Sequence, residues 1–154
     1  MKQVYLAHPF TNGMTLDPPK GTRNLKRAKL WYAWCCRNYQ ATHHFNIMWL
    51  LDIEINNANN EGNGLVTETK ESRQLGMELN FVRISSVDEL WLIGKKVSRG
   101  MNSEAVFARR CGLPVYNLTT ELSPVGLPRF PIKDMVTWKR GSLTEQVAER
   151  SKHE

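Results

Sequence analysis

Cysteine is scarce in this sequence: three in 154 residues, Cys35, Cys36 and Cys111. An odd number with two neighbours builds no disulfide framework, and no Cys/His spacing reads as a zinc site. Cys35 and Cys36 sit inside an aromatic helical pattern and read as packing residues rather than nucleophiles. No apolar run approaches the ~18 residues that a membrane span needs, and the start "MKQVYLAH" has no charged-then-apolar leader. No membrane partner is expected, and a reducing cytoplasm fits. Cationic charge is in excess but never concentrated. The formal charge is +6 and the pI near 9.4, with the basic residues spread over "KGTRNLKRAK", "GKKVSR", "ARR" and "WKR". That balance admits a nucleotide as partner; without a basic-aromatic stripe it does not point to nucleic acid. Neither G-x-G-x-x-G nor G-x-x-x-x-G-K-[ST] occurs, so dinucleotide and P-loop chemistry are unsupported.

What is present suits one globular domain. An apolar fraction of 41% and a charged fraction of 23% are ordinary, and the length allows a single substantial core. "QVYLAH" (Gln3 to His8) is a short β-rich run that ends at Pro9 and the turn-rich "FTNGMTLDPPKG". From Gly21 the period becomes helical, through Leu25, Ala28, Leu30, Trp31, Tyr32, Trp34 and Cys35. "YQATHHF" reads as a second strand, "NIMWLLDIEI" as a short apolar helix and "NNANNEGNG" as a loop. "TETKESRQLGMELNFVRIS" has helical period through Leu75, Leu79 and Val82. "VDELWLIG" is a strand, a helix carrying Glu104 follows, and "LPVYNL" is a further strand. "SPVGLPRFP" has three prolines in nine residues and cannot be regular; a closing helix is expected over 142–152. This alternation predicts an α/β domain with a mostly parallel sheet.

In an open parallel sheet, ligands bind beyond the carboxyl ends of the strands. Three polar loops should converge there: "HPFTNG" with His8, Pro9 and Phe10, "HHFN" with His43 and His44, and "GKKVSRGMNSE" with Gly94, Ser98, Gly100, Met101 and Ser103. Glu104 is expected in the first turn of its helix, where exposed N–H groups and the dipole favour an ionised carboxylate. Such a carboxylate can attack a carbon that develops oxocarbenium character. It can equally do no more than support its helix. Gly100 lets backbone approach an anion, and Met101 packs either on a flat base or into the core. Tyr5 and Phe10 can form a stacking wall, with core packing as the alternative for Tyr5. Arg23 and Asn24 open the first helix, a place for an anionic or hydroxyl-rich ligand. Asp88, at the amino end of its strand, reads as structural. Two adjacent histidines cannot face the same way on a strand, and no metal site is expected.

"VYLAHPF", "RNLKRAKLW", "DELWLIG" and "SRGMNSEAVFARRCGLPV" occur in the order seen in the nucleoside 2-deoxyribosyltransferase-like superfamily. The chain resembles its short branch found in phages and bacteria, over residues 1–118, with residues 119–154 as a C-terminal extension packed on the same domain. The resemblance implies a single-domain, flavodoxin-like (Rossmann-like) three-layer fold and a retaining glycosyl mechanism. The family nucleophile falls on Glu104, and the tyrosine that orients it falls on Tyr5. Gly100, Met101 and Ser103 would contact the sugar or a 5′-phosphate, with His8, Pro9, Phe10, Arg23, Asn24, His44, Gly94 and Ser98 completing the substrate site. The expected activity is cleavage of the N-glycosidic bond of a (deoxy)nucleoside or nucleoside 5′-monophosphate, by hydrolysis or by transfer to another base. No cofactor is implied. A homodimer or larger homo-oligomer is, in the cytoplasm (the host's, for a phage protein). Two departures stand out. Gly94 to Ser103 contains no carboxylate where the transferases carry an aspartate, and His8 replaces a small residue. His8 there is a candidate substitute acid or phosphate ligand, and the missing aspartate suggests the alternative of a non-catalytic nucleotide-binding module, a sensor or sponge.

Overall fold

A computed structural model of the protein describes residues 1–9, 20–47, 70–120, 127–128 and 135–138. Within them the chain runs β1 (Lys2–Ala7), α1 (Lys20–Tyr39), β2 (His43–Asn46), α2 (Lys70–Ile84), β3 (Glu89–Leu92), α3 (Arg99–Arg110), β4 (Val115–Asn117) and β5 (Val136–Thr137). The apolar helix expected from "NIMWLLDIEI", the loop "NNANNEGNG" and the closing helix over 142–152 lie outside the described residues. The strands form one sheet in the order β2-β1-β3-β4-β5. All neighbours pair in parallel except β4 and β5. This is the expected α/β domain with a mostly parallel sheet, compatible with a flavodoxin-like three-layer fold.

The layers follow from side-chain alternation along the central strands. Val4 and Leu6 of β1 join Trp91 and Ile93 in a core with Ala28, Trp31, Trp34 and Cys35 of α1. Tyr5 and Ala7 point to the other face, with Leu90 and Leu92 of β3, against Ile84 of α2 and Met101, Ala105 and Ala108 of α3. All four residues of β3 are buried, as a strand covered on both faces requires. Burial pushes the Cys35 thiol far above the usual range, in keeping with a packing role.

Three expectations are corrected. The α2 stripe was read through Leu79 and Val82, yet these are 57% and 69% exposed. Ile84 and the half-buried Phe81, stacked on Phe107 of α3 at 4.6 Å, form the contact instead. The second strand starts at His43 rather than Tyr39, because α1 continues through Tyr39 and closes in a turn with Thr42 N–H on Tyr39 O (3.0 Å). The antiparallel β5 was not foreseen. At two residues it has no period to read, and its pairing with β4 creates it.

The strand order reverses between β1 and β3, with α1 and α3 leaving to opposite faces. In open parallel sheets ligands bind at such a switch point, beyond the carboxyl edge. Backbone bonds tie the strand exits there: Ile93 N to Ala7 O (3.0 Å), Leu118 N to Leu92 O (2.8 Å) and Thr120 N to Gly94 O (3.0 Å). Asp88 and Glu89 stand at the opposite edge. Asp88 accepts from Gln3 N (2.7 Å), the structural role expected of it. Glu89 is buried and accepts from Lys2 Nζ and Trp91 Nε1, each at 2.9 Å.

Candidate active site

Ser98 begins the site. Extended backbone at Ser98 ends the loop from β3, and its hydroxyl accepts from Met101 N (3.2 Å), capping α3. In return the Ser98 N–H donates to the Met101 thioether at 3.4 Å, a capping box closed by sulfur. At its other end α3 stops at Gly112, whose φ of +81° is left-handed, with Leu113 N on Ala108 O and Gly112 N on Arg109 O at 3.0 Å each. Between these ends Met101, Glu104, Ala105 and Ala108 form the buried stripe.

Glu104 is therefore the sixth residue beyond the cap, in the second turn, and α3 has no acid in its first turn. This corrects the expectation of a first-turn carboxylate held ionised by the helix N-terminus. The Tyr5 hydroxyl donates to Glu104 Oε2 across 99 residues of chain. Glu104 is 6% exposed, and among the described residues no cation forms an ion pair with it. Burial pushes its carboxyl up to about 7, and the Tyr5 hydrogen bond, which favours the charged form, offsets only part of that. The magnitudes decide the matter. A helix dipole contributes about 0.3–1 kcal/mol near an exposed terminus, whereas a rise from 4.5 to about 7 corresponds to roughly 3 kcal/mol. Desolvation wins, and at neutral pH the group divides between acid and carboxylate.

His8 lies on the opposite side of the switch point, 3% exposed. Its Nδ1 lies 2.9 Å from Pro9 O. A carbonyl only accepts, so Nδ1 carries the proton there. Burial, with the nearby Arg27 guanidinium, lowers the imidazole to about 4, so it is neutral at pH 7. The ring packs on Gly94: a Cβ added there would meet His8 Cδ2 and Nε2 at 3.2 Å and Pro9 Cδ at 3.3 Å. Gly94 also has φ +104°, so both space and backbone favour glycine. The loop after β4 joins the same edge. Asn117 Oδ1 accepts from Thr119 N (3.1 Å) and Thr119 Oγ1 (2.6 Å), forming an Asx turn beside Gly94. Lys95 is half-buried and Lys96 and Arg99 are exposed along the rim.

Of the residues expected here, Tyr5 and Glu104 meet, and His8, Pro9 and Gly94 meet. Ser98 is the cap and Gly100 is half-buried in the first turn. Three placements differ from expectation. Met101 is 1% exposed and belongs to the core rather than lining a ligand site. Ser103 projects to solvent, its hydroxyl donating to Arg99 O (3.1 Å), because it falls opposite the buried stripe. His44 pairs in register with Gln3 and its Nδ1 lies 3.0 Å from Gln3 Oε1, at the amino edge of the sheet. His43 shares that edge, so neither histidine reaches the carboxyl edge. The late start of β2 is the cause. Phe10 and the side chains of Arg23 and Asn24 lie outside the described residues. Arg27, Asn117 and Thr119 were overlooked. Arg27 falls one helical turn after Arg23, and "VYNLTT" ends a parallel strand in turn-forming polar residues, which are the signals that pointed to them.

Residues 63–118 match a family model described as a domain of unknown function, DUF7768. The matched segment spans a little over a third of the chain and holds α2, β3, α3 and β4, with Gly94, Ser98 and Glu104. It leaves out β1, which carries Tyr5, and His8 just after it. No curated protein matches the chain. Among the described residues no helix is long and apolar enough to cross a membrane, and no group of three His, Cys, Asp or Glu could hold a metal ion.

Proposed function

We propose that the protein cleaves the N-glycosidic bond of a nucleoside or nucleoside 5′-monophosphate, with Glu104 as nucleophile. The observation that carries this reading is the Tyr5–Glu104 pair at the switch point of a parallel sheet, a buried carboxyl with, among the described residues, a single side-chain donor. A carboxylate Oε of Glu104 bonds to the anomeric carbon as the carbon–nitrogen bond breaks, and the electron pair leaves with the base. Water, or a nitrogen of a second base, then attacks the same carbon and frees the carboxylate. In hydrolysis one proton of that water ends on the departed base, and in transfer the N–H proton of the incoming base does. His8 is not the donor: its proton-bearing Nδ1 is held by Pro9 O, and its imidazolium is scarce at neutral pH. Displacement at carbon involves no redox change and calls for no cofactor. The rim cations Lys95, Lys96 and Arg99 suit a phosphorylated sugar.

Chromatography of free base released from a panel of nucleosides and 5′-monophosphates tests the reading, with wild type beside Glu104→Gln. Running the panel with and without a second base separates hydrolysis from transfer. Release that is lost in the variant is the expected result. The 6% exposure of Glu104 favours one other reading, a binding module whose carboxyl never reaches a substrate. Ligands that raise the melting temperature without any base release would establish that module instead.

A further inference from the structure

A capping box ordinarily closes with Glu or Gln three residues beyond the cap, because either offers an oxygen to the N-cap amide. In α3 that position holds Met101, and the Ser98 N–H donates to its sulfur at 3.4 Å. The choice is weak as an acceptor, and at 1% exposure the position must also suit the buried stripe that includes Glu104. Met101 and Glu104 stand one turn apart on the buried stripe, on the same side of the helix. Met101 shares a buried cluster with Tyr5 of β1, the aliphatic Leu90 and Leu92 of β3 and Ile84 of α2. Tyr5 is the titratable group that this surrounding cluster turns toward Glu104.

We propose that Met101 is a positioning residue, whose thioether closes the cap of α3 with a group that has neither charge nor proton to offer Glu104. A glutamate at 101 would place a second carboxylate one turn from Glu104 without water to screen the two. A glutamine would spend its oxygen on Ser98 and leave an amide NH₂ buried beside Glu104, where it would donate to the carboxylate. The thioether accepts from the Ser98 amide and leaves the charge on Glu104, among the described residues, to Tyr5. This deepens the proposed reaction, since it concerns the protonation of the nucleophile. It is nevertheless readable on a protein that cleaves nothing.

The test uses Met101→Leu and Met101→Gln in the full chain, followed by NMR. Met101→Leu keeps the volume and removes the acceptor: the Ser98 amide is expected to exchange faster while the carboxyl ¹³C titration of Glu104 stays at the wild-type midpoint. Met101→Gln is expected to restore Ser98 protection and to move the Glu104 midpoint down by roughly one pH unit. Where base release occurs, its pH limb should move with it. A Ser98 amide that exchanges alike in Met101→Leu and wild type overturns the proposal, even if Met101→Gln does not fold. So does a folded Met101→Gln protein whose Glu104 midpoint is unmoved. Absence of base release from every substrate defeats the proposed reaction but leaves both of these readouts standing.

Discussion

Replacing Glu104 by glutamine removes an ionisation that the fold resists. The carboxyl titrates at 4.5 in an unfolded chain and at about 7 when folded. Between those values the native state holds more protons than the unfolded one, so stability falls as pH rises. The contribution of the neutral acid is therefore complete below 4.5 and is lost as pH climbs through about 7. At 1.4 kcal/mol per pH unit, the loss comes to under about 1 kcal/mol at pH 5 and about 3 kcal/mol at pH 8. Glutamine keeps the shape and still offers an oxygen to the Tyr5 hydroxyl, so Glu104→Gln should lie within about 1 kcal/mol of the wild type at pH 5. At pH 8 it should be more stable by about 3 kcal/mol, which for a domain of this size is a rise in Tm of roughly 6–12 °C. Urea unfolding followed by circular dichroism at the two pH values measures the difference. His8 titrates the opposite way, its stability present above 6.5 and lost as pH falls toward about 4, but it is common to both proteins and cancels. A gap between variant and wild type that does not widen with pH would refute the assignment of burial as the cause. A variant that is the less stable protein at pH 8 would do the same.

Tyr5→Phe removes the hydroxyl that favours the charged carboxylate, so the Glu104 midpoint should rise above about 7 and the alkaline-rising limb of any base release should follow it. The ¹³C titration checks the direction; an unmoved midpoint would mean that the hydrogen bond is not made in solution. Gly112→Ala and Gly94→Ala separate backbone strain from crowding. The first meets no atom within 4 Å and should cost about 1 kcal/mol from its left-handed φ alone. The second adds a clash at 3.2 Å with the His8 ring, so denaturant melts should show it clearly the more destabilised, with the two costs equal if the ring swings away.

Much of the candidate site was legible because local patterns speak directly about it. The ends of α3 carried signals that the expected substrate role of Ser98 passed over: Ser98 is a good N-cap, and "RRCGLP" holds the glycine that a helix end in left-handed backbone needs. The loops of His8 and Gly94 follow from parallel strands that end there. His44 was misplaced because the strand starts at His43 rather than Tyr39, which puts it at the amino edge of the sheet, and boundaries are the weakest part of any periodicity. Met101 read equally well as ligand contact or core, since both demand an apolar side chain at a helix entry. Leu79 and Val82 satisfied a helical period on a face that packs against nothing among the described residues.

By itself the sequence determined the alternation of strands and helices through β1, α1, β3, α3 and β4, and the loops of His8 and Gly94 that leave the carboxyl ends of β1 and β3. Those depend on steric preferences and on periods of 2 and 3.6, which act over a few residues. The charge on Glu104 was decided only by tertiary structure. Its environment is assembled from Tyr5, 99 residues away, and from strands and helices that exclude water from both. Desolvation is a property of that assembled volume, and it overrode the dipole of the helix that carries the residue.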